Sequence, residues 1–150
     1  MEEMHLYLRD ASSGDASEPV HAVPLGGSNY RVVYSPSIVY GIAAGDEIDT
    51  DAEGNFSVLR RGGNLAVRVL CAAGVDGFAD DLCLSVEGLG GRLDGKVRNG
   101  LVFTIPLEAG FEAIERLFGE FTSMHSSTVW EYGNVYNEAG QPLLWWRNEV

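Results

Sequence analysis

Asn64-Leu65-Ala66-Val67-Arg68-Val69-Leu70-Cys71 opens the stretch that decides the fold, and Thr128-Val129-Trp130-Glu131-Tyr132-Gly133-Asn134-Val135-Tyr136 closes it. The first, from Leu65 to Cys71, is an apolar run of strand length. A helical stripe from Val75 to Leu89 follows, with Val75, Phe78, Ala79, Leu82, Val86 and Leu89 spaced by threes and fours. Asn99-Gly100 is the strongest hairpin signal in the chain and joins Arg92–Arg98 to Leu101–Ile105. A second amphipathic helix is expected from Ala109 to Phe121, its apolar face Phe111, Ile114, Leu117, Phe118 and Phe121. The closing strand then runs from Thr128 to Tyr136. The order is β-α-β-β-α-β, the ferredoxin-like or split βαβ arrangement.

Upstream, the spacing changes from helical to strand-like. Short strands are expected at Met4–Arg9, Val20–Leu25, Tyr30–Tyr34, Asp46–Thr50 and Asn55–Arg61, with a flexible loop from Asp10 to Ser17. The expected architecture is therefore α+β. A β-rich, barrel-like subunit spans residues 1–62, and a ferredoxin-like subunit spans residues 63–150. A small bent sheet is marginal alone, so the two should pack as one unit. The tail carries Leu143, Leu144, Trp145 and Trp146 and should dock on the body.

The 150 residues carry a formal net charge of −12 and are 45% hydrophobic, the composition of a globular chain. Such a surface repels nucleic acid and anionic membranes and attracts a basic protein partner. The N-terminus, Met1-Glu2-Glu3-Met4-His5, is acidic and lacks the apolar segment of a signal peptide. No run approaches the roughly 20 apolar residues of a membrane-spanning helix. A cytoplasmic protein is the expectation. Cys71 and Cys83 sit among apolar neighbours and read as free thiols.

No constellation rises to a catalytic signature, and neither a cofactor nor a metal is expected. Asp49-x-Asp51-x-Glu53-Gly54 begins like a calcium loop, but Arg60 stands where the bidentate Glu is needed. The cluster Asp46, Glu47, Asp49, Asp51 and Glu53 reads as an acidic hairpin. Arg60-Arg61-Gly62-Gly63-Asn64 could hold an anion with two guanidiniums and backbone N–H groups, or serve only as a linker. His5, His21 and His125 show no metal-helix spacing, and His125 is placed to cap the second helix. Trp130, Tyr132 and Tyr136 would share one strand face, either as core or as a contact surface.

Tyr30-Arg31-Val32, Gly41-Ile42-Ala43-Ala44-Gly45-Asp46-Glu47-Ile48, Arg60-Arg61-Gly62-Gly63-Asn64 and Trp130-Glu131-Tyr132-Gly133-Asn134 together resemble a bacterial family of unknown function. Its members run YRV…GxAxGDxI…RRGGN…WEYGN. The resemblance spans about residues 19–146. It implies a bacterial cytoplasmic protein and carries over no catalytic residue.

The functional expectation is a small acidic binding protein, most concretely an immunity protein or antitoxin that neutralises a basic toxin. Its contacts would be Asp46, Glu47, Asp49, Asp51, Glu53, Asp76, Asp80 and Asp81, with Trp130 or Trp145 as anchor. A ligand-sensing ferredoxin-like domain is the first alternative. An enzyme holding an anionic small molecule on Arg60, Arg61 and Asn64 is the second.

Overall fold

The computed structural model describes residues 2–10 and 16–148. Most of the loop expected between Asp10 and Ser17 lies outside them. The fold is α+β, with antiparallel sheets and, among the described residues, two α-helices. β1 (Met4–Arg9), β2 (Ser17–Gly26), β3 (Asn29–Val32), β4 (Glu47–Thr50) and β5 (Phe56–Arg60) form a meander in that order. In the sheet β1 and β5 are not neighbours. One bond, from the Arg9 N–H to the Gly54 carbonyl (2.9 Å), ties β1 to the β4–β5 turn.

The second sheet contains β6 (Asn64–Cys71), β7 (Arg92–Val97), β8 (Gly100–Pro106) and β9 (Thr128–Tyr132), in the order β7-β8-β6-β9. Helix α1 (Ala79–Glu87) links β6 to β7, and α2 (Phe111–Met124) links β8 to β9. Strand alternation sorts the two faces of this sheet. Leu65, Val67 and Val69 of β6 and Leu101, Phe103 and Ile105 of β8 meet Leu82, Val86, Ile114 and Phe118 of the helices in one apolar core. Burying each such side chain contributes about 1.5–3 kcal/mol. The meander has a smaller core of Leu8, Val20, Val32, Val39, Ile42 and Ile48.

Element ends depart from expectation where local chemistry intervenes. α1 starts at Ala79, not Val75, because Gly74 (φ +104°) and Gly77 favour a turn there, although Val75 is still buried. α2 runs past Phe121 to Met124, and the Thr122 and Ser123 hydroxyls donate back to the Phe118 (2.9 Å) and Glu120 (2.7 Å) carbonyls within it. His125 then closes it, its ring stacked on Phe121 with Nδ1 3.0 Å from the Phe121 carbonyl. β9 stops at Tyr132, so Tyr136 does not continue its face; it pairs with Pro142 in an isolated bridge. The tail docks: the Trp145 indole N–H donates to the Asn134 carbonyl (2.9 Å), and Trp146 packs on Phe111. Among the described residues no helix is long and apolar enough to cross a membrane.

Candidate functional site

The face of the second sheet away from the helices is covered around Arg68 and Thr104 by the irregular segment between β3 and β4. Irregular backbone under cover must find partners for its polar groups. At residues 36–39 two side chains of opposite charge supply them. The Glu18 carboxylate of β2 accepts the N–H groups of Ser37 (2.7 Å), Ile38 (2.9 Å) and Val39 (2.9 Å). The Arg68 guanidinium of β6 donates to the carbonyls of Pro36 (3.3 Å), Ile38 (3.1 Å) and Val39. Arg68 is 2% exposed, lies over the Tyr40 ring (4.7 Å to its centroid) and pairs with Glu131 across the β6–β9 register (3.5 Å). Burial presses its pKa below the ordinary arginine value; Glu131, Tyr40 and Glu18 oppose that, and it stays a cation.

Two further contacts fasten the same segment. The Asp94 carboxylate accepts the Ser35 N–H (2.8 Å) and the Thr104 hydroxyl (2.5 Å), and the Ser35 hydroxyl lies 2.6 Å from that of Thr104. Asp46, 0% exposed, accepts the N–H groups of Ala43 (3.0 Å) and Gly62 (2.8 Å) and the Arg61 guanidinium (3.3 Å). Burial pushes the Asp46 carboxyl above its ordinary value, against those donors. Arg61 also donates to the Gly41 carbonyl (2.7 Å) and lies over the Trp145 ring, while the Asn64 amide donates to Ala44 (2.8 Å). The anion in this cradle is thus the chain's own Asp46. The approach is close: a Cβ on Gly62 would stand 2.5 Å from the Gly45 carbonyl carbon.

A groove opens beside this joint, about 760 Å³ in volume, within the range of small-ligand sites. It runs along the edge strand β9: Trp130 and Tyr132 line it from the helix side, their rings 5.1 Å apart edge to face, Glu131 and Tyr40 line it from the other side, and Tyr136 also borders it. Phe118 stacks beneath Trp130 at 5.4 Å. One wall is the turn at 137–141, which Asn137 organises by accepting the N–H groups of Ala139 and Gln141 (2.9 Å each). Among the described residues three carboxylates, Glu115, Glu131 and Glu138, line the groove, and no Arg, Lys or His does. Tyr40 donates to Glu131 (2.7 and 2.8 Å), and Tyr132 donates to Glu115 (3.0 Å). Burial and then these carboxylates raise both phenols above the ordinary tyrosine value. A smaller hollow of about 270 Å³, which Arg9 and Phe56 help line, adjoins across Tyr40 and Glu138.

The residues singled out from the sequence fall into three groups. Asp46 and Trp145 (8% exposed) are buried and cannot meet a partner, which corrects their reading as contacts. Glu47, Asp49, Asp51 and Glu53 remain on the β4–β5 hairpin, with Glu47 near Arg31 (3.7 Å) and Asp49 accepting the Ser28 hydroxyl. Asp51 holds the turn, accepting from Asn55 and Glu53; the Asn55 amide, foremost, keeps its carboxyl below the ordinary value. Asp76, paired with Lys96 (2.9 Å), and the exposed Asp80 and Asp81 belong instead to the helix layer. Trp130 is half-buried in the groove, and Arg60 is exposed. Spacing along the chain missed Glu18, Arg68 and Asp94. It also missed that His5 and His21 face each other across β1 and β2, Nε2 to Nε2 at 3.1 Å.

The model of the family described as Domain of unknown function (DUF4265) matches residues 18–132. No curated protein matches the chain. A solved structure described as that of a hypothetical protein from Neisseria gonorrhoeae is similar, with a TM-score of 0.67 at 15% identity over 88% of this chain and 93% of that one. At that identity the likeness speaks for the fold. The family match takes in the joint from Glu18 to Glu131 and the floor of the groove, and the chain belongs to the DUF4265 family.

Proposed function

We propose that the chain is a non-enzymatic acidic binding protein of the bacterial cytoplasm that captures a basic protein partner, most concretely as an immunity protein or antitoxin. The observation that supports this most is the groove, where aromatic faces and carboxylates stand together with no lining cation among the described residues. The net charge of −12 works in the same direction at longer range. A nuclease-type toxin needs a basic surface to hold phosphates, and an acidic inhibitor meets it with complementary potential. Glu47, Asp49, Asp51 and Glu53, together with Asp76, Asp80 and Asp81, are the surface carboxylates of the encounter, and Trp130 is the anchor.

The finer architecture belongs to the same reading: a barrel-like subunit over residues 1–62 and a ferredoxin-like subunit over residues 63–150. The sheet order β7-β8-β6-β9 supports the second. The alternative of an enzyme gripping an anion on Arg61 finds less support, because Asp46 already takes the Arg61 and Gly62 donors.

The test is a pull-down from the native host with the tagged chain, at low and high salt. The reading expects a basic protein that is retained at low salt and released as screening shortens the reach of its charges. Recovery of no protein at either salt would falsify it.

A further inference from the structure

We infer that the groove over β9 seats the guanidinium of an arginine side chain presented by the basic partner. The inference rests on the capture reading and names what the site within it recognises. Trp130, Tyr132, Tyr136 and Tyr40 supply aromatic faces and edges around one volume. A planar, weakly hydrated cation gains most from such faces, which favours guanidinium over ammonium. The carboxylates repel an anionic group and offer a neutral one hydrogen bonds but no charge pairing. Glu131 is already answered by Arg68 at 3.5 Å behind the groove. Glu115 and Glu138 are exposed, and among the described residues no basic side chain pairs with either. They carry the charge left over for a ligand. Arg9 lines the adjoining hollow, which shares Tyr40, Asn137 and Glu138 with the groove.

The seat is built in advance. Phe118 fixes Trp130 from below, Glu115 holds the Tyr132 hydroxyl, and Glu131 holds that of Tyr40. Arg68 stacked on Tyr40 shows the same geometry within the fold, with a guanidinium over a ring whose hydroxyl meets a carboxylate.

The experiment uses the full-length, isotope-labelled chain and two neutral-backbone probes, N-acetyl-arginine amide and N-acetyl-citrulline amide. The readout is the indole N–H signal of Trp130, assigned with Trp130→Phe. The arginine probe should move this signal saturably and the uncharged citrulline probe should not. The double variant Glu115→Gln/Glu138→Gln, in which the amide oxygen at position 115 still accepts the Tyr132 hydroxyl, should keep the fold and weaken the probe roughly fivefold or more. The same variant should retain less of the basic partner in the pull-down. A Trp130 signal unmoved by the arginine probe, or moved equally by citrulline, overturns the inference. If the partner is still captured in that case, the capture reading stands without this seat. Probe binding together with undiminished partner capture by the double variant also overturns it, because the groove would then serve a free small cation.

Discussion

Replacing Arg68 by Met removes a buried charge and keeps most of the apolar stem. If burial of the charge dominated, the variant would be as stable as the parent or more so, since a guanidinium out of water costs several kcal/mol. The geometry argues the other way. The carbonyls of Pro36, Ile38 and Val39 lose their donor, and two of those bonds are buried. Each carbonyl left unmet costs about 1–3 kcal/mol. The Glu131 side chain is 40% exposed, so water re-solvates it and it adds little. Relief of the buried charge offsets part of the sum, and a net loss of about 3–5 kcal/mol is expected, the usual result of removing one partner of a buried pair. For a chain of this size that lowers Tm by roughly 6–20 °C. Thermal and urea unfolding read it directly. Arg68→Lys should fall between, because one ammonium cannot span three carbonyls in a fixed fork. An Arg68→Met variant with unchanged or raised Tm would refute the reasoning.

Gly62→Ala should destabilise by about 1–3 kcal/mol or more, because its Cβ meets the Gly45 backbone, which cannot swing aside; an unchanged urea midpoint would contradict this. Gly62 is not in the left-handed region, so the loss would be steric alone. Stability should fall as pH rises above about 10, because Tyr40 and Tyr132 hold their protons in the fold while the unfolded chain releases them. Tyr40→Phe and Tyr132→Phe should each flatten that alkaline slope of the urea midpoint, and a slope unaltered in both would count against the account.

The five strands of the meander and both helices were legible in the chain because each has a strong period and a turn signal, as at Asn99-Gly100. The helix boundaries moved by a few residues: Gly77 weakened the start of one, and the other ran on to Met124, where His125 caps it. The joint was not legible. Glu18 and Arg68 are far apart in sequence and act on the same backbone segment, and local spacing cannot show such a meeting. One signal was available: Arg68 is the sole charge in the apolar run Leu65–Cys71, and a charge there must find buried partners. Asp46 and Arg61 looked like surface charge and an anion site because composition does not show that one fills the other. The groove was half visible: Trp130, Tyr132 and Tyr136 read as one strand face, of which Tyr136 leaves the strand but still lines the groove, and Tyr40 reaches it only through the segment held by Arg68.

The central claim is that Glu18 and Arg68 clamp residues 36–39 and so place Tyr40 against Glu131 at the groove. Native-state hydrogen exchange of the Ser37, Ile38 and Val39 amides tests it most directly. In the parent chain these amides should be protected by the Glu18 carboxylate. In Glu18→Gln their protection should drop while the β6–β8 ladder amides keep theirs. Fast exchange of the three amides in the parent, or unchanged protection in the variant, would contradict the account.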